Sequence, residues 1–342
     1  MKVAVYVGPH QPFSIEERPT PVPREDELLI KVGRCGICGT DLSTYTGAAG
    51  MEMGLVYGHE FAGEVVGVGS AVSEIAVGQR VTAQCVTACG HCEACRRGHL
   101  VFCPDWRPHA SGGFGQFMTL PAREAYVLPP ALTLEDGALV EPLAVGRHGV
   151  RLSGLRAPSR VLIVGAGAIG LSVAFWARRQ GAQRIAVLAT SERRKSLAYE
   201  MGASDFLLAS ADVLPSIEAC LGGAPDLVFE CAGFPGAMMQ AMEHVAAKGT
   251  IVGLGYGLHA EEITTATPLF KEIRVQFSMT YDREDYEEVI ATLAAGHLEP
   301  RCLVTDTIAL EGLTEAIESL LEGGPQCKVM VDPWASGPGS SP

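Results

Sequence analysis

The chain has 342 residues, 47% of them hydrophobic and 6% aromatic, with 40 Gly, 21 Pro and a formal net charge of -13. That length suits two domains, and the glycine content favours a folded α/β enzyme over a disordered or fibrous chain. The negative charge excludes a nucleic-acid partner, whose affinity would come from Lys and Arg on phosphates.

The first residues, Met1 to Pro9, lack the apolar core and cleavage site of a secretory signal, and no run of about 18 apolar residues predicts a membrane span. Eleven cysteines, an odd number, fit reduced thiols and metal ligands in a cytoplasm better than a disulfide framework.

Residues 1–148 predict short strands. Alternating runs such as Leu28-Leu29-Ile30-Lys31-Val32 and Phe61-Ala62-Gly63-Glu64-Val65-Val66 are broken every few residues by Gly or Pro. Within this region lie Cys38 and, past a loop carrying Gly47, Gly50 and Gly54, the triplet Gly58-His59-Glu60. A thiolate, an imidazole and a carboxylate are zinc-ligand types, and a catalytic zinc takes three protein ligands while leaving one position open. Glu141, beside Pro142, is a further candidate ligand.

Next comes Cys89-x2-Cys92-x2-Cys95-x7-Cys103, four thiolates able to close tetrahedrally on a structural zinc, with Arg96 and Arg97 positioned to offset their charge. The spacing leaves His91 and His99 as surface residues. Cys35, Cys85, Cys220, Cys231, Cys302 and Cys327 read as small core residues.

Near residue 149 the texture changes. Val161-Leu162-Ile163-Val164 is a buried-strand run, followed at once by Gly165-Ala166-Gly167-Ala168-Ile169-Gly170 and a helical stretch through Arg179. Strand before, helix after and a second strand at Arg184 to Leu188 make this a dinucleotide fingerprint. Further strands are expected at 226–230 and at 249–255, the latter placing Gly253 on the cofactor side, so the nucleotide domain is expected over 149–270. A helix over 285–295, a strand over 327–331 and a flexible Gly/Ser/Pro tail over 335–342 complete the chain.

Gly58-His59-Glu60, Gly63, Gly69 and Val72 follow G-H-E-x2-G-x5-G-x2-V, which resembles the signature of the zinc-containing medium-chain alcohol dehydrogenases. The Glu141-Pro142-Leu143-Ala144 version is similar to the polyol (sorbitol-like) and threonine dehydrogenase branch. The resemblance implies an α/β architecture with a GroES-like β-barrel catalytic domain and a Rossmann doubly wound parallel sheet, residues 271–334 returning to the first domain. It also implies two zinc ions per subunit, a homodimer or homotetramer, and hydride transfer between an alcohol or polyol and a nicotinamide, the zinc acidifying the substrate hydroxyl. The direct third ligand stays open between Glu60 and Glu141.

Thr40 resembles the family residue that takes the substrate proton, while the His found in many relatives five residues after the cysteine is here Ser43. His148 stands where the polyol branch tends to have His, and could accept that proton or brace the domain junction. Asp41 would orient the metal site. Tyr45, Tyr57, Trp106 and Phe114 are candidate pocket walls that core positions would explain equally.

The acidic residue that holds the adenosine ribose in NAD-specific folds falls here on Ala189, followed by Thr190, Ser191, Arg193 and Arg194. This favours NADP over NAD unless Glu192 folds back to replace the acid. The residues thus predict a zinc-dependent dehydrogenase. The competing readings are an NADPH-dependent carbonyl reductase on the same scaffold and a non-catalytic zinc and nucleotide-binding relative, which would lack the ligands retained here.

Overall fold

A computed structural model describes residues 1–109 and 112–336. The expected tail therefore lies, from residue 337, outside the described residues. The first strands are β1 (Lys2–Val5), β2 (Ser14–Glu17), β3 (Glu27–Gly36), β4 (Glu60–Val68), β5 (Arg80–Ala83), β6 (Phe117–Pro121) and β7 (Ala125–Val127). Helices α1 (Gly39–Tyr45) and α2 (Glu93–Arg96) interrupt them, and α3 (Leu134–Ser153) follows. Then come β8 (Arg160–Val164), α4 (Ala168–Arg179), β9 (Arg184–Ala189), α5 (Lys195–Glu200), β10 (Asp205–Leu208) and α6 (Leu214–Leu221). They lead to β11 (Leu227–Glu230), α7 (Ala237–His244), β12 (Thr250–Gly253), α8 (Ala266–Lys271) and β13 (Arg274–Phe277). The chain closes with α9 (Arg283–Ala294), β14 (Val304–Ile308), α10 (Leu313–Leu321) and β15 (Lys328–Val331).

Two compact units result, residues 1–141 with 282 onward, and residues 142–281. The first holds a sheet in the order β14-β15-β3-β4-β5-β7, with β6 also on β3. Inward-facing Leu28, Ile30, Val32, Phe61, Val65, Val81, Phe114, Met118 and Val331 fill it. That alternation is what the sequence pattern of a half-buried strand dictates. Tyr45, Tyr57 and Phe114 belong to this core rather than to an open pocket wall, and Trp106 is half exposed.

The second unit is a parallel sheet in the order β10-β9-β8-β11-β12-β13. The order reverses between β8 and β11, the switch point at which doubly wound sheets bind nucleotides beyond their carboxyl ends. Its continuous apolar strands are buried on both faces, as parallel strands are. The unit runs on past residue 270 because β13 adds to the sheet edge, and it begins within α3 rather than after it.

A buried carboxylate anchors the base of the cysteine-rich lobe. Glu124 Oε1 accepts the Ala88 N–H at 3.0 Å. Burial pushes its carboxyl up to about 7 from an ordinary 4.5, against the Ala88 hydrogen bond and Arg123, which pull it down. A raised folded-state value means that stability is fully present below pH 4.5 and is lost as pH climbs through about 7. Glu124→Gln should flatten that slope, gaining on the order of 3 kcal/mol over the parent at pH 8 and little at pH 4, measured by denaturant unfolding across pH.

Candidate functional site

Three strand ends meet in the first unit. Gly36 ends β3 and pairs with Glu60, which begins β4, and Met330 of β15 pairs with Gly36 from the other side. Any side chain on Gly36 would collide with the Glu60 carboxylate, so the glycine makes room for the acid. Gly58 has φ +93°, and a Cβ there would lie 2.8 Å from Cys35 Sγ and 2.9 Å from the Phe114 ring. Only glycine fits that turn, and the turn delivers His59.

Cys38 precedes α1, and its backbone N–H donates to Asp41 Oδ2 at 2.8 Å. The buried Asp41 thereby holds the Cys38 backbone in place. One donor atom each from Cys38, His59 and Glu60 lies within 4.8 Å of the others. Burial alone would push His59 down, yet Cys38, Asp41 and Glu141 outweigh it and hold the imidazole well above its usual value. Negative charge gathered around one half-buried ring is a field that suits a cation.

Glu60 is 0% exposed and Lys328 3%. The Lys328 ammonium sits 2.7 Å from either carboxylate oxygen and donates to Oε1, and it also donates to the Ile37 carbonyl at 2.8 Å. Oε2 is buried and its contact, among the described residues, is the ion pair with that ammonium. A carboxylate oxygen has more than one lone pair, so a carboxylate beside a thiol and an imidazole still fits a divalent metal. Glu141, buried on α3, is near enough to raise His59 but lies outside the 4.8 Å set. Thr40 is exposed, its Oγ1 3.8 Å from Cys38 Sγ. Ser43 is half-buried one helical turn on.

Cys89, Cys92, Cys95 and Cys103 form a second set within 4.8 Å. Backbone N–H groups of Cys89, Cys92, Cys95 and Asp105 point at the sulfurs at 3.4–3.5 Å. These amides offset part of the thiol set's charge, and Arg97 is paired with Glu93 at 2.8 Å. The set fits a structural zinc. His91 is exposed, but His99 is half-buried and bonded to Asp282.

In the second unit, Gly165 at φ +107° turns the chain out of β8, and a Cβ on Gly167 would meet nothing within 4 Å, leaving the N-terminus of α4 at Ala168 and Ile169 open to a pyrophosphate. A Cβ on Gly170 would strike the Gly165 carbonyl. The three glycines thus have the local geometry that a dinucleotide fingerprint requires. Ala189 ends β9, and no acid follows it closely, because Glu192 is turned to Lys195 at 2.8 Å. Thr190 is exposed, Arg193 donates to Ser191 Oγ at 2.9 Å, and Arg194 reaches the Ala166 carbonyl at 3.3 Å. Gly253 is buried inside β12, its space taken by Met238 and Phe277. His148 is buried on α3 and its Nδ1 lies 3.0 Å from Arg151 Nη2.

Two residues that the structure places beside the candidate sites were not singled out in the sequence. Lys328 looked like one polar residue in a terminal strand. Glu230, at the tip of β11, accepts the Ala232 and Gly233 N–H groups at 2.7 and 2.8 Å, and its carbonyl accepts those of Leu254 and Gly255 at 2.7 and 2.9 Å. It ties together the loops beyond the switch point. An acid ending an apolar parallel strand was the available signal.

Two family models match, the alcohol dehydrogenase GroES-like domain over residues 24–130 and zinc-binding dehydrogenase over 168–295. Sorbitol dehydrogenase of Bacillus subtilis (strain 168) is 34% identical over 345 residues, covering 97% of each chain. A zinc-binding dehydrogenase of Sinorhizobium meliloti 1021, solved bound to NADP, superposes with TM-score 0.89 at 33% identity, over 97% of this chain and 99% of that one. The 2R,3R-butanediol dehydrogenase of Bacillus subtilis superposes with TM-score 0.86 at 29% identity, with the same coverage.

Gly170→Ala should push α4 off β8. Melting should show a loss of about 1–3 kcal/mol, and titration of NADPH fluorescence should show weakened nucleotide binding while both cysteine-containing sets keep their metal.

Proposed function

Because the chain belongs to the zinc-containing medium-chain alcohol dehydrogenase family, we propose that it oxidises a secondary alcohol or polyol, with Cys38, His59 and Glu60 holding the catalytic metal. The observation that carries this reading is the convergence of those three donors within 4.8 Å at the meeting of the strand ends. A zinc ion there supplies Lewis acidity that lowers the pKa of the substrate hydroxyl, and a nicotinamide accepts the hydride.

The chain's own residues do the rest. Glu60, inside the set, serves as third ligand, and Glu141, outside it, acts on the centre through its charge. Thr40, the exposed hydroxyl beside Cys38, takes the substrate proton and passes it on, since a threonine is not a terminal base at neutral pH. The hydrogen bond between Arg151 and His148 Nδ1 supports a bracing role for that histidine over a proton-accepting one. Gly165, Gly167, Ala168, Ile169 and Gly170 hold the pyrophosphate.

Ala189, Thr190 and Ser191, followed by Arg193 and Arg194, form a turn whose acid, Glu192, is paired with Lys195 at 2.8 Å; such a turn suits a 2′-phosphate, and NADP is the preferred cofactor. The NADP-bound relative supports the same reading. An NADP enzyme would work readily as a carbonyl reductase, the same residues returning the proton to a ketone.

All eleven cysteines are free thiols, which supports a reducing, cytoplasmic setting. Among the described residues no helix is long and apolar enough to cross a membrane. The edge strand β13 is exposed along its length, with Phe277 and nearby Leu269, Phe270 and Met279 each more than half exposed. Such an uncovered apolar sheet edge supports a subunit interface in a homodimer or homotetramer.

The test is reduction of NADP and NAD by zinc-replete protein over secondary alcohols, polyols and β-hydroxy amino acids. Turnover should vanish in Cys38→Ser, and undiminished turnover there would sink the metal reading. Arg194→Ala should lower kcat/KM for NADP by roughly tenfold to a hundredfold, the worth of one or two charge-assisted hydrogen bonds, and change that for NAD little.

A further inference from the structure

Glu60 is placed by the sheet but aimed by something else. Its Cα position follows from pairing with Gly36, and the room for its side chain follows from that glycine. Neither constraint sets the rotation of the carboxylate. The one hydrogen bond it accepts, among the described residues, comes from Lys328. That lysine enters from the opposite end of the chain, 268 residues away, and a second hydrogen bond to the Ile37 carbonyl, one residue before Cys38, fixes its own head group.

We propose that Lys328 is the positioning residue of the metal centre, its ammonium holding the Glu60 carboxylate in ligating orientation toward Cys38 and His59. The inference rests on the reading of that set as a metal site. Three observations carry it. The ammonium is 2.7 Å from each oxygen and donates to Oε1, which fixes the plane of the carboxylate while its remaining lone pairs stay able to accept a metal. The lysine is buried, and a buried ammonium is costly unless its partners reward it. Its two hydrogen-bond partners, Ile37 and Glu60, stand next to Cys38 and His59, two members of the donor set.

Groups that orient a metal ligand in this manner typically contribute tenfold to a hundredfold in metal affinity. Lysine also brings one positive charge to a pocket holding Asp41, Glu60 and Glu141, which limits repulsion among the acids before the metal arrives.

The experiment is competition for zinc between the full-length protein and a chromogenic chelator, resolving the Cys38 centre from the four-cysteine set by comparison with Cys38→Ser. Lys328→Met should weaken zinc at the Cys38 centre by roughly tenfold to a hundredfold and leave the four-cysteine zinc in place. Lys328→Arg should recover part of the loss. The cycle with Glu60→Gln is the decisive arm: if the lysine acts through Glu60, Lys328→Met costs little further affinity once Glu60 is Gln.

Because the double variant removes both charges together, it also remains measurable should the single Lys328→Met fail to fold. Unchanged or tighter zinc in Lys328→Met, or additive losses in the cycle, would overturn the role of Lys328. Absence of any zinc beyond the four-cysteine set in the parent protein would instead remove the metal reading itself, and the two failures are thereby told apart.

Discussion

One constraint organises the first unit: three buried acids stand beside a half-buried thiol and imidazole at the ends of its strands, and their charge has to be met. Asp41, Glu60 and Glu141 surround Cys38 and His59. In an apolar interior such a collection is costly unless cations face it. Among the described residues Lys328 supplies one, and a thiol, an imidazole and the same carboxylate stand close enough together to suit a second. Much of the local architecture follows from this need. Gly36 exists to admit the acid, Gly58 to turn the histidine inward, and β15 returns from the end of the chain to bring the lysine.

The cysteine-rich lobe solves the same problem differently. Its four thiols lie in one short stretch, and backbone amides turn toward the sulfurs instead of arginines. Local sequence spacing therefore suffices to define it. The Cys38 centre has ligands that depend on sheet register, and register is a property of the whole unit. That difference suits the four-cysteine set to a closed structural site and the Cys38 set to an open one.

Most of the elements that carry chemistry were legible. The runs at 28–32, 61–66, 161–164 and 184–188 became β3, β4, β8 and β9, and the glycine-rich turn opens α4 as its spacing required. What escaped has physical causes. Helix α3 contains Gly137, Pro142, Gly146 and Gly149, residues that lower helix propensity, and its stability is tertiary: Gly137 sits against Ala62 and Leu128, Gly146 against Ser172 and Gly149 against Leu254. Strand β13 has no buried residue, so no periodicity announced it, and only its pairing with β12 defines it. Lys328 was invisible because a lysine is ordinarily a surface residue and its partner lies across the chain. Of the two arginines expected to offset the four thiolates, Arg97 is paired with Glu93, and backbone amides point at the sulfurs.

The account stands on there being two metal centres of different kind in one chain, and elemental analysis of zinc per polypeptide tests that most directly. It predicts two zinc ions per parent chain and one in Cys38→Ser, with the four-cysteine set still occupied. A single zinc in both proteins would contradict it.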